Sequence, residues 1–86
     1  MTERAPEDDA VVLPLDRIEP GESGTIVRID GDPMIARRLM ELGFVTGTEV
    51  NVLRRAPFGD PIEMAVRGVH LWLRRTEASS IHVAIR

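Results

Sequence analysis

The 86-residue sequence contains no cysteine, no tyrosine and no lysine. Without cysteine there is no disulfide staple, no thiolate metal site and no thiol nucleophile, a composition that fits a reducing compartment. Aromatic residues number three, Phe44, Phe58 and Trp72. No apolar run approaches the roughly 20 residues of a membrane span, and no signal peptide is recognisable, so a cytoplasmic protein is expected. A clear excess of positive charge is missing too. The net charge is −3, and Glu3, Glu7, Asp8 and Asp9 against Arg4 already account for it. The rest of the chain is balanced, with arginine the only base, and only residues 54–86 lean cationic. Nucleic-acid binders carry a marked basic excess and stacking aromatics, so no nucleic acid is expected as a partner.

The chain is long enough for one small domain that buries roughly 60–65% of its unfolded surface. Residues 1–12 are polar and acidic, and read as a disordered N-terminal segment. Leu13, Leu15 and Ile18 are expected to tether the next segment to the core, with Pro14 breaking any regular strand. The strongest local signal is helical and spans Asp32 to Gly43. Asp32 can cap the first amides, Pro33 suits the first helical position, and Gly43 can close the helix in a left-handed conformation. Ile35, Leu39 and Leu42 recur at helical spacing and predict one apolar stripe covering the core. Arg37 and Glu41, four apart, then face outward.

Almost everything downstream has period two, and β-branched content marks one strand upstream. The expected strands are 24–30, 48–55, 62–67, 69–74 and 81–86, with alternation clearest in Ile62, Met64 and Val66 and in Val69, Leu71 and Leu73. Ile26 and Ile29 cannot share a face of a regular strand, which predicts a bulge. Gly68 marks a tight hairpin, and residues 76–80 a short helical turn. Five short strands, a helical link before the last and a long excursion after the first favour a small five-stranded SH3-like barrel over an OB barrel. One short α-helix is then inserted between the first and second strands.

Four runs in this order carry a family resemblance. They are Arg38-Leu39-Met40-Glu41-Leu42-Gly43, Gly47-Thr48-Glu49-Val50, Ala56-Pro57-Phe58-Gly59-Asp60-Pro61 and Leu73-Arg74-Arg75-Thr76-Glu77-Ala78 followed by Ile81 and Val83. Over about residues 13–85 the sequence resembles the FeoA family, small SH3-like cytosolic proteins that accompany FeoB, a membrane ferrous iron transporter with a cytoplasmic G domain. The resemblance implies a FeoA-like SH3-like barrel over residues 13–86. It implies a FeoB-type transporter as partner, contacted through its cytoplasmic G domain or core, and recruitment to the inner face of the membrane. It also raises an alternative, a transition-metal-binding regulatory module like the C-terminal domain of DtxR-type repressors. Trp72 stands where the family commonly has a small residue, and Phe58 where an aliphatic one is usual.

The candidate partner-binding residues are Arg37 and Glu41 on the helix, Phe58 in its proline-flanked loop and Trp72 on the polar side of its strand. Tryptophan and arginine are frequent interface anchors. The candidate metal ligands are His70 and His82, which with Asp60, Glu63 or Glu77 could hold ferrous iron or zinc weakly. Their plainer reading is two solvent-facing strand residues, since no ligand spacing supports a site. Arg38 and the Arg74-Arg75 pair are expected to form ion pairs with Glu41 or Glu77. No intrinsic cofactor is expected. Nothing supports catalysis: there is no Ser/His/acid arrangement in a motif and no glycine pattern such as a P-loop. A proline-rich ligand is not expected either, because three aromatics cannot build the groove that receives one. Exposed edge strands make a homodimer conceivable.

Overall fold

Alternating apolar residues are the reason this chain becomes a sheet, and they decide which face turns inward. The computed structural model describes residues 11–85. Of the segment expected to be disordered, residues 1–10 lie outside the described range, whereas Val11 and Val12 belong to a strand. The strands are β1 (Val11–Pro14), β2 (Ser23–Ile29), β3 (Glu49–Arg55), β4 (Ile62–Val66), β5 (Val69–Leu73) and β6 (Ile81–Ile85). Helix α1 (Pro33–Glu41) lies between β2 and β3, and the single-turn α2 (Arg75–Ala78) between β5 and β6. All neighbours pair antiparallel in the order β1-β6-β2-β3-β4-β5.

The described residues therefore hold six strands where five were expected. The extra one is β1, and it contains Pro14, which had been read as a strand breaker. Pro14 lies opposite His82 at the end of β1, whose only ladder partner among the described residues is β6. A residue without an N–H is tolerated on such an edge. The expected bulge is present: the β2–β6 register shifts between Ile26 and Arg28. A second shift, between Val52 and Arg54, bends β3 against β4.

Ile62, Met64 and Val66 of β4, Val50 and Val52 of β3, and Ile81 and Val83 of β6 are buried on the concave side. Each such side chain contributes roughly 1.5–3 kcal/mol by leaving water. Leu15 and Ile18 close the same core from the 3₁₀ turn Leu15–Arg17 and the residue after it. That turn is pinned by Arg55, whose guanidinium donates to the carbonyls of Asp16 and Ile18.

Gly24 marks a close approach of β2 to β6. A Cβ there would sit 3.0 Å from the Ala84 carbonyl oxygen and 3.0 Å from the Val83 Cβ. Neither atom is the free end of a flexible side chain, so Gly24→Ala is expected to cost about 1–3 kcal/mol as overpacking. Thermal unfolding checks this; a variant melting at the parent temperature would show that the two strands separate freely.

Candidate functional site

Helix α1 forms as its capping signals dictate. The Met34 amide donates to Asp32 Oδ1 at 2.8 Å, Pro33 occupies the first turn, and Gly43 takes φ +115° beyond the end. Its packing differs from expectation. Leu39 is fully buried, but Ile35 is 37% exposed, Leu42 45% and Met34 81%. The stripe does not cover the core, because Leu39 and the following Phe44 alone anchor the C-terminal end of α1. Outside the core it is tied by an ion pair, Arg38 Nη2 to Glu77 Oε2 at 2.7 Å, one of the pairings expected from sequence. Met34, Ile35, Met40 and Leu42 thus stand in water with Arg37 and Glu41, both exposed. Pro33, Met34 and Arg37 line a shallow recess of about 330 Å³.

The loop between β3 and β4 presents the second feature. Its ends are closed by Ala56 N–H to the Pro61 carbonyl at 2.9 Å, and its tip by Gly59 N–H to the Ala56 carbonyl at 2.8 Å. At that tip Phe58 has φ +69° and a fully exposed ring. A left-handed conformation costs a non-glycine residue roughly 1–2 kcal/mol, and such strain concentrates at functional loops. Helix α2 links this loop to α1. The Arg75 amide donates to Asp60 Oδ1 at 3.0 Å, while Glu77 receives both Arg38 and the Arg74 amide.

Trp72 lies elsewhere, on the outer face of β3-β4-β5, in a cross-strand row with Glu63 and Arg54. Arg54 Nε meets Glu63 Oε1 at 2.6 Å, and the Arg54 guanidinium carbon is 5.6 Å from the Trp72 ring centre. The other Glu63 oxygen is 3.8 Å from His70 Nδ1. Trp72 remains 46% exposed.

His70 and His82 do not come together. The first lies on β5, whose ladder partner is β4, and the second on β6 between β1 and β2. His82 Nε2 is 3.0 Å from Asp30 Oδ2, an oxygen that also receives Arg28 Nε at 3.0 Å. Each histidine thus sits with one carboxylate already engaged by an arginine. Among the described residues no three histidine, aspartate or glutamate side chains converge on one point. Titration with ferrous iron or zinc is expected to give no micromolar one-to-one event; a heat signal lost in His70→Ala or His82→Ala would reverse that expectation.

Sequence reasoning had no view of one further feature. A cavity of about 440 Å³ is lined by Asp16, Asp60, Arg75, Thr76 and Ser79. Asp16 Oδ1 is buried there without a hydrogen-bond partner among the described residues, and Arg75 Nε lies 3.9 Å from Oδ2. These residues come from three separate segments, so no local spacing could announce them. Among the described residues, no helix is long and apolar enough to cross a membrane.

Comparison with known proteins agrees with this architecture. Residues 13–85 match the model of the FeoA domain. A curated relative from Porphyromonas gingivalis, an Fe(2+) transport protein A/Fe(2+) transporter FeoB fusion protein, is 32% identical over 71 residues. That match takes in 83% of this chain but only 8% of the relative. Among solved structures, a FeoA-like protein from Clostridium acetobutylicum superposes with a TM-score of 0.81 at 34% identity, covering 86% of each chain. FeoA of Stenotrophomonas maltophilia, solved with zinc and described as a prokaryotic SH3 domain protein, gives a TM-score of 0.70 at 32% identity over 81% of this chain and 86% of that one. The fold is accordingly SH3-like, with the ladder left open between β1 and β5. The chain belongs to the FeoA domain family, whose field is ferrous iron transport.

Proposed function

We propose that this protein is a non-enzymatic, cytoplasmic accessory of ferrous iron uptake that binds the cytoplasmic part of a FeoB-type transporter and modulates it. The observation that carries the reading is the relative in which the same domain is joined to the Fe(2+) transporter FeoB in one chain. Covalent linkage of two modules raises their effective concentration toward each other, and is useful where they act together. The exposed apolar residues of α1 support it, because apolar side chains clustered in water and rimmed by polar ones suit a protein contact.

The contact is assigned to Met34, Ile35 and Leu42 with Arg37 and Glu41, and to Phe58, which α2 connects to the same helix. Trp72 is a second anchor on the outer face of β5. The metal is the transporter's cargo in this reading, and the protein needs no resident ion. Co-purification from membranes carrying a FeoB-type transporter tests it. Recovery of this chain with the transporter is expected; a chain with no affinity for any of the transporter's cytoplasmic domains would overturn the reading.

A further inference from the structure

Strand β5 ends the sheet, and its chemistry is unusual for an edge. Edge strands are ordinarily protected by charges, prolines or bulges. Val69-His70-Leu71-Trp72-Leu73 has no proline and no permanently charged side chain, and pairs with β4 in unbroken register. Among the described residues β4 is its only ladder neighbour. Val69 and Trp72 are exposed on opposite faces of it.

The hairpin fixes which backbone groups point outward. Arg67 and Gly68 both have positive φ, +53° and +80°, as a two-residue type I′ turn requires. Val66 and Val69 are then the closing pair that exchanges both hydrogen bonds, and Met64–Leu71 and Ile62–Leu73 follow by alternation. The N–H and C=O groups of His70 and Trp72 consequently face away from β4. One residue on, the ladder is stopped, because the Arg74 amide is already given to Glu77. Among the described residues these four backbone groups have no partner, and in so short a segment they make a docking edge for one extended strand.

Charge decides which strand. Arg67 in the turn precedes the edge and Arg74 follows it, so a cation flanks each end. A second copy of this chain fits badly. In the full-overlap two-fold register His70 faces Trp72 of the second copy, and Arg67 is brought beside that copy's Arg74 and Arg75. Like charges so placed oppose association. We infer that β5 is a β-augmentation edge for an extended segment of another protein, apolar at alternate positions and acidic at both ends. Its backbone bonds to His70 and Trp72, its apolar side chains continue the row of Val69, Leu71 and Leu73, and its end carboxylates meet Arg67 and Arg74. The inference stands on the strand edge alone and does not depend on the contact assigned to α1.

The test uses the full chain and two synthetic peptides of alternating valine and threonine, blocked at their termini, one ended by glutamates and the other by lysines. Trp72, the only tryptophan, reports binding by fluorescence. The glutamate-ended peptide is expected to bind at least tenfold more tightly at low salt, and to slow hydrogen exchange at the His70 and Trp72 amides. A proline at the centre of that peptide should abolish both signals. In the R67Q/R74Q variant the preference for glutamate over lysine should disappear while the fold, judged by its melting temperature, is kept. Equal binding of both peptides, binding of neither, exchange unchanged at His70 and Trp72, or a preference that survives in R67Q/R74Q would each overturn the inference. So would protection of those two amides by concentration alone, which would assign the edge to a second copy.

Discussion

Phe44→Ala is expected to cost about 3–5 kcal/mol of unfolding free energy, the usual loss for truncating a fully buried aromatic ring. In a domain this small the melting temperature falls by about 4–8 °C per kcal/mol, so a drop of at least about 12 °C is expected. Phe44 is the largest fully buried side chain among the described residues. Its amide donates to the Leu39 carbonyl at 3.0 Å, just past the left-handed Gly43, so the ring enters the core where the chain leaves α1. The truncation opens a cavity and also removes one of only two buried side chains that hold this helix. Denaturant unfolding measures the first effect, and amide exchange along α1 measures the second. Phe44→Leu keeps much of the apolar volume and should lose a smaller share. A Phe44→Ala protein melting within a few degrees of the parent would mean that the site collapses freely and that α1 is anchored elsewhere.

How far the sequence could announce this depends on the range of each interaction. The caps of α1 were legible because Asp32, Pro33 and Gly43 act on amides within four residues of themselves. Strands β4, β5 and β6 were legible because a half-buried strand writes its two faces into its own alternation, and the misfit of Ile26 with Ile29 announced the bulge. Pro14 was not legible as a strand residue, since its tolerance depends on β1 being an edge against β6, a fact set some seventy positions later. The burial of Phe44 was not legible either, because nothing local says that the residue after Gly43 lies against the core. The role of Arg55 was hidden for the same reason, since it holds two carbonyls more than thirty positions earlier.

The site divides the same way. The exposure of Phe58 and Trp72 was readable from prolines and alternation, and the lack of ligand spacing between His70 and His82 from their positions. The Asp16–Asp60–Arg75 cavity was not, since it is assembled by the fold. The most informative mismatch is α1. Its periodicity correctly gave an apolar stripe but could not say whether the stripe had anything to lie on. Local patterning and tertiary packing agree through most of a natural protein, and the places where they part are expected to be functional or strained.

That mismatch carries the second large prediction. Ile35 of that stripe and its neighbour Met34 are exposed, so their apolar character does little for the folded monomer. Replacing both by glutamate should therefore change stability by no more than about 1 kcal/mol, the range for two surface substitutions. If the stripe is instead kept apolar for a partner, the same change places two charges in a contact that excludes water. An interface hot spot is worth about 2 kcal/mol or more, so affinity for the cytoplasmic part of a FeoB-type transporter should fall at least about 30-fold. Equilibrium binding to that purified part, with a melting curve of each variant alongside, separates the two effects. Phe58→Ala then tells whether the contact extends across α2 to the β3–β4 loop, and Trp72→Ala whether it reaches the outer face of β5. Binding kept within threefold in the Met34→Glu, Ile35→Glu protein would remove α1 from the contact. A fall in melting temperature matching that of Phe44→Ala would show that the stripe packs on the domain after all. Unchanged melting with lost binding is the expected result, because a helix whose buried anchors are Leu39 and Phe44 leaves the rest of its apolar face open to another molecule.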